Sequence, residues 1–186
     1  MLGLLPMAAT GIWDRVLAPL PRHELYEAVE HVERLPRDPV VRLARLLWPL
    51  RGDRAMIERV VDRLKPSRDE RARVLALTDP LLEPLRTLRE PTAIRRVLAH
   101  LGRKYVADAV ALHAWEWAQA ETIGEAIRGA PLATGELAIG GRELVDAGLC
   151  TPGPKLGQTL AQLLDWTLEA PSRNTAEQLL AHLRGH

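Results

Sequence analysis

The side chains in this sequence best suited to chemistry are arginines, and the chemistry they suit is phosphate binding. Arg42 with Arg45, Arg51 with Arg54, Arg59 with Arg63, Arg95 with Arg96, and Arg103 with Lys104 all fall between residues 34 and 104, as does Lys65. Spacings of three and four residues place Arg42/Arg45 and Arg59/Arg63 on shared helix faces. A guanidinium offers a planar fork of donors that matches a phosphate. A face of such groups grips a nucleic-acid backbone without reading bases. The same side chains can instead pair with neighbouring Asp and Glu on solvated helix faces. Residue types alone leave both uses open.

Other candidates carry less. In Thr151-Pro152-Gly153-Pro154-Lys155, a proline at a first helical position follows a glycine, with a lysine beside it. Exposed N–H groups at such a helix start form an anion site, to which Gly153 and Lys155 would contribute. The turn also serves simply to aim the chain into the next helix, with Gly157 then allowing that helix to pack closely. His23, Glu27 and His31 share one helical face next to Glu24, but the His-Glu-x-x-His pattern is missing and they read as a solvated face. Cys150 has no His or Arg beside it in sequence and reads as structural. Trp115 and Trp117 point to different helix faces, so one of them is left for a surface or a seam, whereas Trp166 reads as core.

The elements that must position these residues are helical throughout. Residues 23–35 form one candidate helix. Asp38-Pro39 supplies a cap followed by a proline where no N–H is needed. Ile57, Val60, Val61 and Leu64 recur at i, i+3, i+4 and i+7, as do Ile94, Val97, Leu98 and Leu101. Ser67 to Glu70 has capping-box form. Asp79-Pro80 breaks a helix and Glu90-Pro91 starts one. Residues 104–128 read as one long helix ended by Gly129 and Pro131. Glycines and prolines then punctuate the chain until a helix from Pro154, followed by a last one opened by Asn174-Thr175-Ala176-Glu177 with Asn174 as the cap. No run alternates as a strand would. The expectation is an all-α chain, with an Arg-rich helical body over residues 1–130 and a smaller helical tail over 131–186.

Composition narrows the partner. Of 25 basic residues only three are lysine, a bias that codon usage in a GC-rich genome also produces. The net charge of +1 hides segregation: the balance is −3 over residues 1–33, +9 over 34–104 and −5 over 105–186. A polyanion is the natural partner of the middle stretch. One cysteine excludes an internal disulfide, the apolar start lacks a basic leader region, and no run approaches the ~20 apolar residues of a membrane span. A cytoplasmic protein without a membrane partner is expected.

Residues 137–180 read LAIGGRELVDAGLCTPGPKLGQTLAQLLDWTLEAPSRNTAEQLL. Gly141, Glu143, Leu144, Gly148, Pro152, Gly153, Pro154, Gly157, Leu160, Asn174, Thr175 and Glu177 resemble the C-terminal tail of bacterial tRNA CCA-adding enzymes and related poly(A) polymerase-type tRNA nucleotidyltransferases. Upstream, RLARLL at residues 42–47 and LKPSRDERARVL at 64–75 resemble that family's body, and MLGLLP the end of its neck. The resemblance implies that body and tail grip the tRNA elbow and set the distance to the 3′ end, a task for shape and charge. The charge pattern and the Pro-Gly-Pro helix start make Arg42, Arg45, Arg54, Arg59, Arg63, Lys65, Arg95, Arg96, Arg103, Lys104, Gly153 and Lys155 the expected RNA contacts, as a group.

The departures bear on chemistry. The family's nucleotidyl-transfer head, a Gly-rich loop with paired aspartates holding Mg²⁺, has no counterpart here. Where some relatives carry a His-Asp metal pair, this chain reads Leu46-Leu47-Trp48-Pro49-Leu50. The expectation is therefore no catalysis and no cofactor in this chain alone, with Mg²⁺ belonging to a head in the same natural chain or a separate one. The alternative is a headless relative acting as a protein–protein or oligomerisation module.

Overall fold

The structure is a computed structural model that describes residues 9–11, 15, 18, 32, 35–113 and 117–185, with the backbone alone at 117 and 118. The described residues form helices and turns without a strand, an all-α architecture. They comprise α1 (Pro39–Leu47), α2 (Arg54–Leu64), α3 (Arg68–Leu77), α4 (Pro91–Leu101), α5 (Val106–His113), α6 (Trp117–Ile127), α7 (Gly141–Asp146), α8 (Pro154–Glu169) and α9 (Ala176–Arg184). Short 3₁₀ turns join several of them. The chain divides into two compact units: residues 1–84 with 107–115, and residues 85–106 with 116–186. The division does not fall at residue 130; the Gly129–Pro131 break lies inside the second unit.

In the first unit, local chemistry starts α1, α2 and α3. The Asp38 carboxylate accepts from the N–H groups of Val40 and Val41, and Pro39 takes the first helical position. Asp53 accepts from Met56 N–H at 2.9 Å to open α2. Ser67 and Glu70 complete a reciprocal capping box on α3, as the sequence pattern predicts. Val40, Leu47, Ile57, Val60, Val61, Val74 and Leu75 then converge into one apolar cluster between α1, α2 and α3. Each fully buried aliphatic side chain in it stabilises the unit by roughly 1.5–3 kcal/mol.

In the second unit, α4 packs on both α6 and α8, burying Ile94, Leu98, Ile123 and Leu168. Around the Gly- and Pro-rich stretch, Leu137, Ile139, Leu144, Leu163 and Leu179 form a second cluster that joins α7, α8 and α9. Trp166 is half-buried against it, stacked on His182 with ring centroids 4.0 Å apart and covered by Arg173 at 4.8 Å.

Several local expectations change. Over the helix predicted at 104–128, a 3₁₀ turn occupies Arg103–Tyr105 and the described residues are helical over Val106–His113 and Trp117–Ile127, with residues 114–116 outside the described set. The cap of α9 is Thr175, whose hydroxyl accepts from Gln178 N–H, and not Asn174. The Asn174 amide instead accepts from Ala138 N–H at 2.8 Å and donates to Glu136 O at 3.0 Å, tying α9's entry to the segment before α7. Gly157 packs against nothing: a Cβ there would meet open space. Close approach belongs to Gly141, whose added Cβ would sit 2.9 Å from Leu156 Cδ2. Of the predicted helix at 23–35 only Val32 and Leu35 are described, and the His23/Glu24/Glu27/His31 face and the side chains of Trp115 and Trp117 lie outside the described residues.

Candidate nucleic-acid interface

The arginines singled out by type fall into three groups once their partners are known. The first group holds the fold together. Arg95, 7 % exposed, donates through Nε to Leu168 O at 2.5 Å, through Nη1 to Ala126 O at 3.1 Å, and through Nη2 to Glu169 O and Thr92 Oγ1, both at 3.1 Å. Leu168 and Glu169 end α8, and Ala126 lies in the last turn of α6. Helix C-termini leave carbonyls without intrahelical donors and carry partial negative charge. One guanidinium serves both ends, which is why it tolerates burial that lowers its pKa against the opposing field of Glu90. Sequence spacing groups Arg95 with the RNA contacts, but it is buried with its donors spent inside the unit and presents no guanidinium to a partner.

The second group is engaged within the fold, most of it with carboxylates or carbonyls at the surface. Arg96 makes a bidentate contact with Asp165 at 2.7 and 3.0 Å and reaches Glu169 at 3.3 Å. The hydrogen bond from Arg96 holds the Asp165 carboxyl below the usual range, against some burial. Arg103 bonds Glu136 at 2.7 Å and Ala130 O at 2.5 Å. Arg54 bonds Glu58 at 3.0 Å and Leu75 O at 3.1 Å. Half-buried Arg42 donates to Pro36 O and Leu35 O. Arg45 is half-buried, and the Lys104 ammonium lies 4.5 Å from the centre of the Tyr105 ring. Sequence pairing also missed the central ion cluster of the first unit: Arg73 of α3 bonds Asp108 at 2.5 and 2.6 Å and Asp38 at 2.8 Å.

The third group is exposed and has no carboxylate partner among the described residues: Arg59, Lys65 and Lys155, a state shared by Arg68 and, elsewhere in the chain, by Arg37, Arg128 and Arg184. Exposed Arg63 stands close to them in kind, since Nη1 bonds only the backbone carbonyls of Arg15 and Ala18, at 3.0 and 3.4 Å. Of these eight cations, Arg59, Arg63, Lys65 and Arg68 fall within residues 59–68. On α2, Ile57, Val60 and Val61 face the core, so Arg59 and Arg63 stand one turn apart on the solvent side. Of the carboxylates around them, Glu58 is ion-paired with Arg54 and Asp62 with Arg71 at 2.7 Å, while Glu70 is hydrogen-bonded by the Ser67 cap and keeps its charge. Asp69 is exposed without such a partner and offsets part of the charge.

Lys155 is solitary. Gly153 precedes α8 with φ at 142°, a value that favours glycine, and no side chain caps the helix. The turn is accounted for by the start of α8. Cys150 is half-buried, its Sγ 3.4 Å from Thr159 Oγ1. At the place where relatives in the resembled family hold metal ligands, Leu46, Leu47 and Trp48 are buried, with Trp48 edge-on to His113 at 4.4 Å. Among the described residues no three His, Cys, Asp or Glu side chains gather as a metal site, and no helix is long and apolar enough to cross a membrane.

Comparison with known proteins adds no relative: no protein-family model, curated protein or solved structure matches this chain.

Proposed function

We propose that this chain is a tRNA-binding module, equivalent to the body and tail of a CCA-adding nucleotidyltransferase, that holds the tRNA elbow and leaves nucleotidyl transfer to a catalytic head in the same natural chain or another. The observation that carries this reading is the run of four exposed cations at residues 59–68, beside which Glu58 and Asp62 are ion-paired elsewhere and Asp69 and Glu70 alone are left to offset the charge. A paired arginine offers little net field to an incoming polyanion, while an unpaired one keeps its full charge. The tail pattern from Gly141 to Glu177 supports the family by resemblance, and much of it has a physical role in folding the second unit.

The mechanism follows from charge. Each cation that neutralises a phosphate releases condensed counterions, so affinity falls with salt in proportion to the number of contacts. Contacts to phosphate and ribose carry no base identity, which suits a protein that accepts many tRNAs. In a gel-shift titration, unmodified tRNA transcript is expected to bind at low salt and to lose affinity steeply between 50 and 200 mM, with a log–log slope of roughly −3 for four contacts. Binding that ignores salt, or no binding at low salt, rejects the proposal.

A further inference from the structure

We infer that the joint between α2 and α3 is the phosphate-anchoring point of this surface, with Lys65 kept there for its charge against the conformational preference of the backbone. The inference rests on the RNA-binding reading above and names where that binding is made. Lys65 is the C-cap of α2 and adopts φ 51° and ψ 50°, the left-handed region; among the described residues it is the one non-glycine with positive φ. Glycine is the residue that ends helices in this conformation without steric cost, because a Cβ crowds the following carbonyl. Every other positive-φ position described here is a glycine. A lysine at this one, exposed and without an ion-pair partner among the described residues, works against local stability. Backbone strain of this kind gathers where a side chain serves binding.

The surroundings fit an RNA backbone. Arg59 and Arg63 lie on the outer face of α2 within two turns of Lys65, and Arg68 opens α3 three residues beyond it. The joint is held in place: Arg71 of α3 grips Asp62 of α2 at 2.7 and 3.4 Å, and the Ser67–Glu70 box closes the start of α3. The N-terminus of α3 is thus already capped, so the anion would be met by side chains. Four cations on a rigid corner suit phosphates on one strand of an RNA helix.

The test compares Lys65→Gly, Lys65→Arg and the double change Arg59→Gln/Arg63→Gln in the full chain. The probes are a tRNA transcript and a blunt RNA duplex of arbitrary sequence. Lys65→Gly is expected to raise Tm by a few degrees. It should also weaken tRNA binding severalfold and make the log–log salt slope shallower by about one. Lys65→Arg should keep both properties of the parent, and the double change should lower the slope by about two. If tRNA binds with the expected salt dependence but Lys65→Gly leaves the slope unchanged, the anchor is overturned and the tRNA reading stands. A lower Tm for Lys65→Gly also overturns it, because the lysine would then not oppose the fold. If the duplex binds as tightly as tRNA and both substitutions weaken it, the anchor stands and the tRNA reading falls. If neither RNA binds, both fall.

Discussion

The two units use the same residue type for different ends. In the second, three arginines work inside the fold: Arg95 is buried across the C-termini of α6 and α8, and Arg96 and Arg103 fasten α4 and its following turn to acids and carbonyls far along the chain. Arg128 and Arg184 of the same unit stay exposed and far apart in sequence. In the first, Arg73, Arg71, Arg54 and Arg51 each hold a carboxylate, and a surplus is left at residues 59–68. A total of +1 therefore says little about where a polyanion would land. What matters is which cations remain after the internal pairs have formed, and burial and geometry decide that.

The sharpest way to break this comparison is Arg95→Met. It removes donors from the carbonyls of Ala126, Leu168 and Glu169 and leaves them buried, a loss of about 3 kcal/mol. Urea melts should show it, while the same change at exposed Arg96 should move the midpoint far less. Equal losses at the two positions would mean that Arg95 is not the internal clamp described here.

Arg73→Gln addresses the first unit. Arg73 is held between Asp108 and Asp38 with side chains only 18–30 % exposed, and the change is expected to cost about 1–2 kcal/mol at pH 7. Burial works to raise the Asp38 carboxyl, but hydrogen bonds from Val41 N–H, Arg73 and Val40 N–H outweigh it and hold the group below its ordinary range. A carboxyl depressed in the folded state gives stability that is complete above its unfolded value of about 4 and lost as pH falls through the folded value. The gap between parent and variant should therefore narrow from about pH 5 downwards in urea melts. A gap that stays constant to pH 3 would show that Asp38 does not depend on Arg73.

The smallest expected effect is at Gly157. Its open surroundings predict that Gly157→Ala raises stability by roughly 0.8–1 kcal/mol through helix propensity. Gly141→Ala, with Leu156 Cδ2 at 2.9 Å from the new Cβ, should move the other way. Thermal melts of the two variants side by side would settle whether close packing belongs to α7 or to the middle of α8.

Much of the fold was legible because helix starts are local. Asp38 and Ser67 cap through hydrogen bonds to N–H groups two or three residues away, and Pro39, Pro91 and Pro154 stand where no donor is needed. The apolar stripe of Ile57, Val60 and Val61 is a consequence of the 3.6-residue period. Local pattern misleads where the deciding neighbour is distant in sequence. Asn174 looked like a cap because its type and place suit one, yet its partners are Glu136 and Ala138. Gly157 and Gly141 look alike in a string, and only the position of Leu156 tells them apart.

The candidate interface divides along the same line. Types and spacing put Arg59 and Arg63 on a common face, and the structure keeps them exposed. Arg95 and Arg96 are adjacent, so no local rule separates them. A turn of 100° per residue sends one into the interior against carbonyls 31, 73 and 74 residues away, and the other to the surface acids Asp165 and Glu169. The sequence by itself determined that the chain is helical, where its helices start, and that its positive charge gathers in residues 34–104. Only the tertiary structure decided which of those charges are left for a partner, because pairing depends on contacts between helices that sequence distance does not encode.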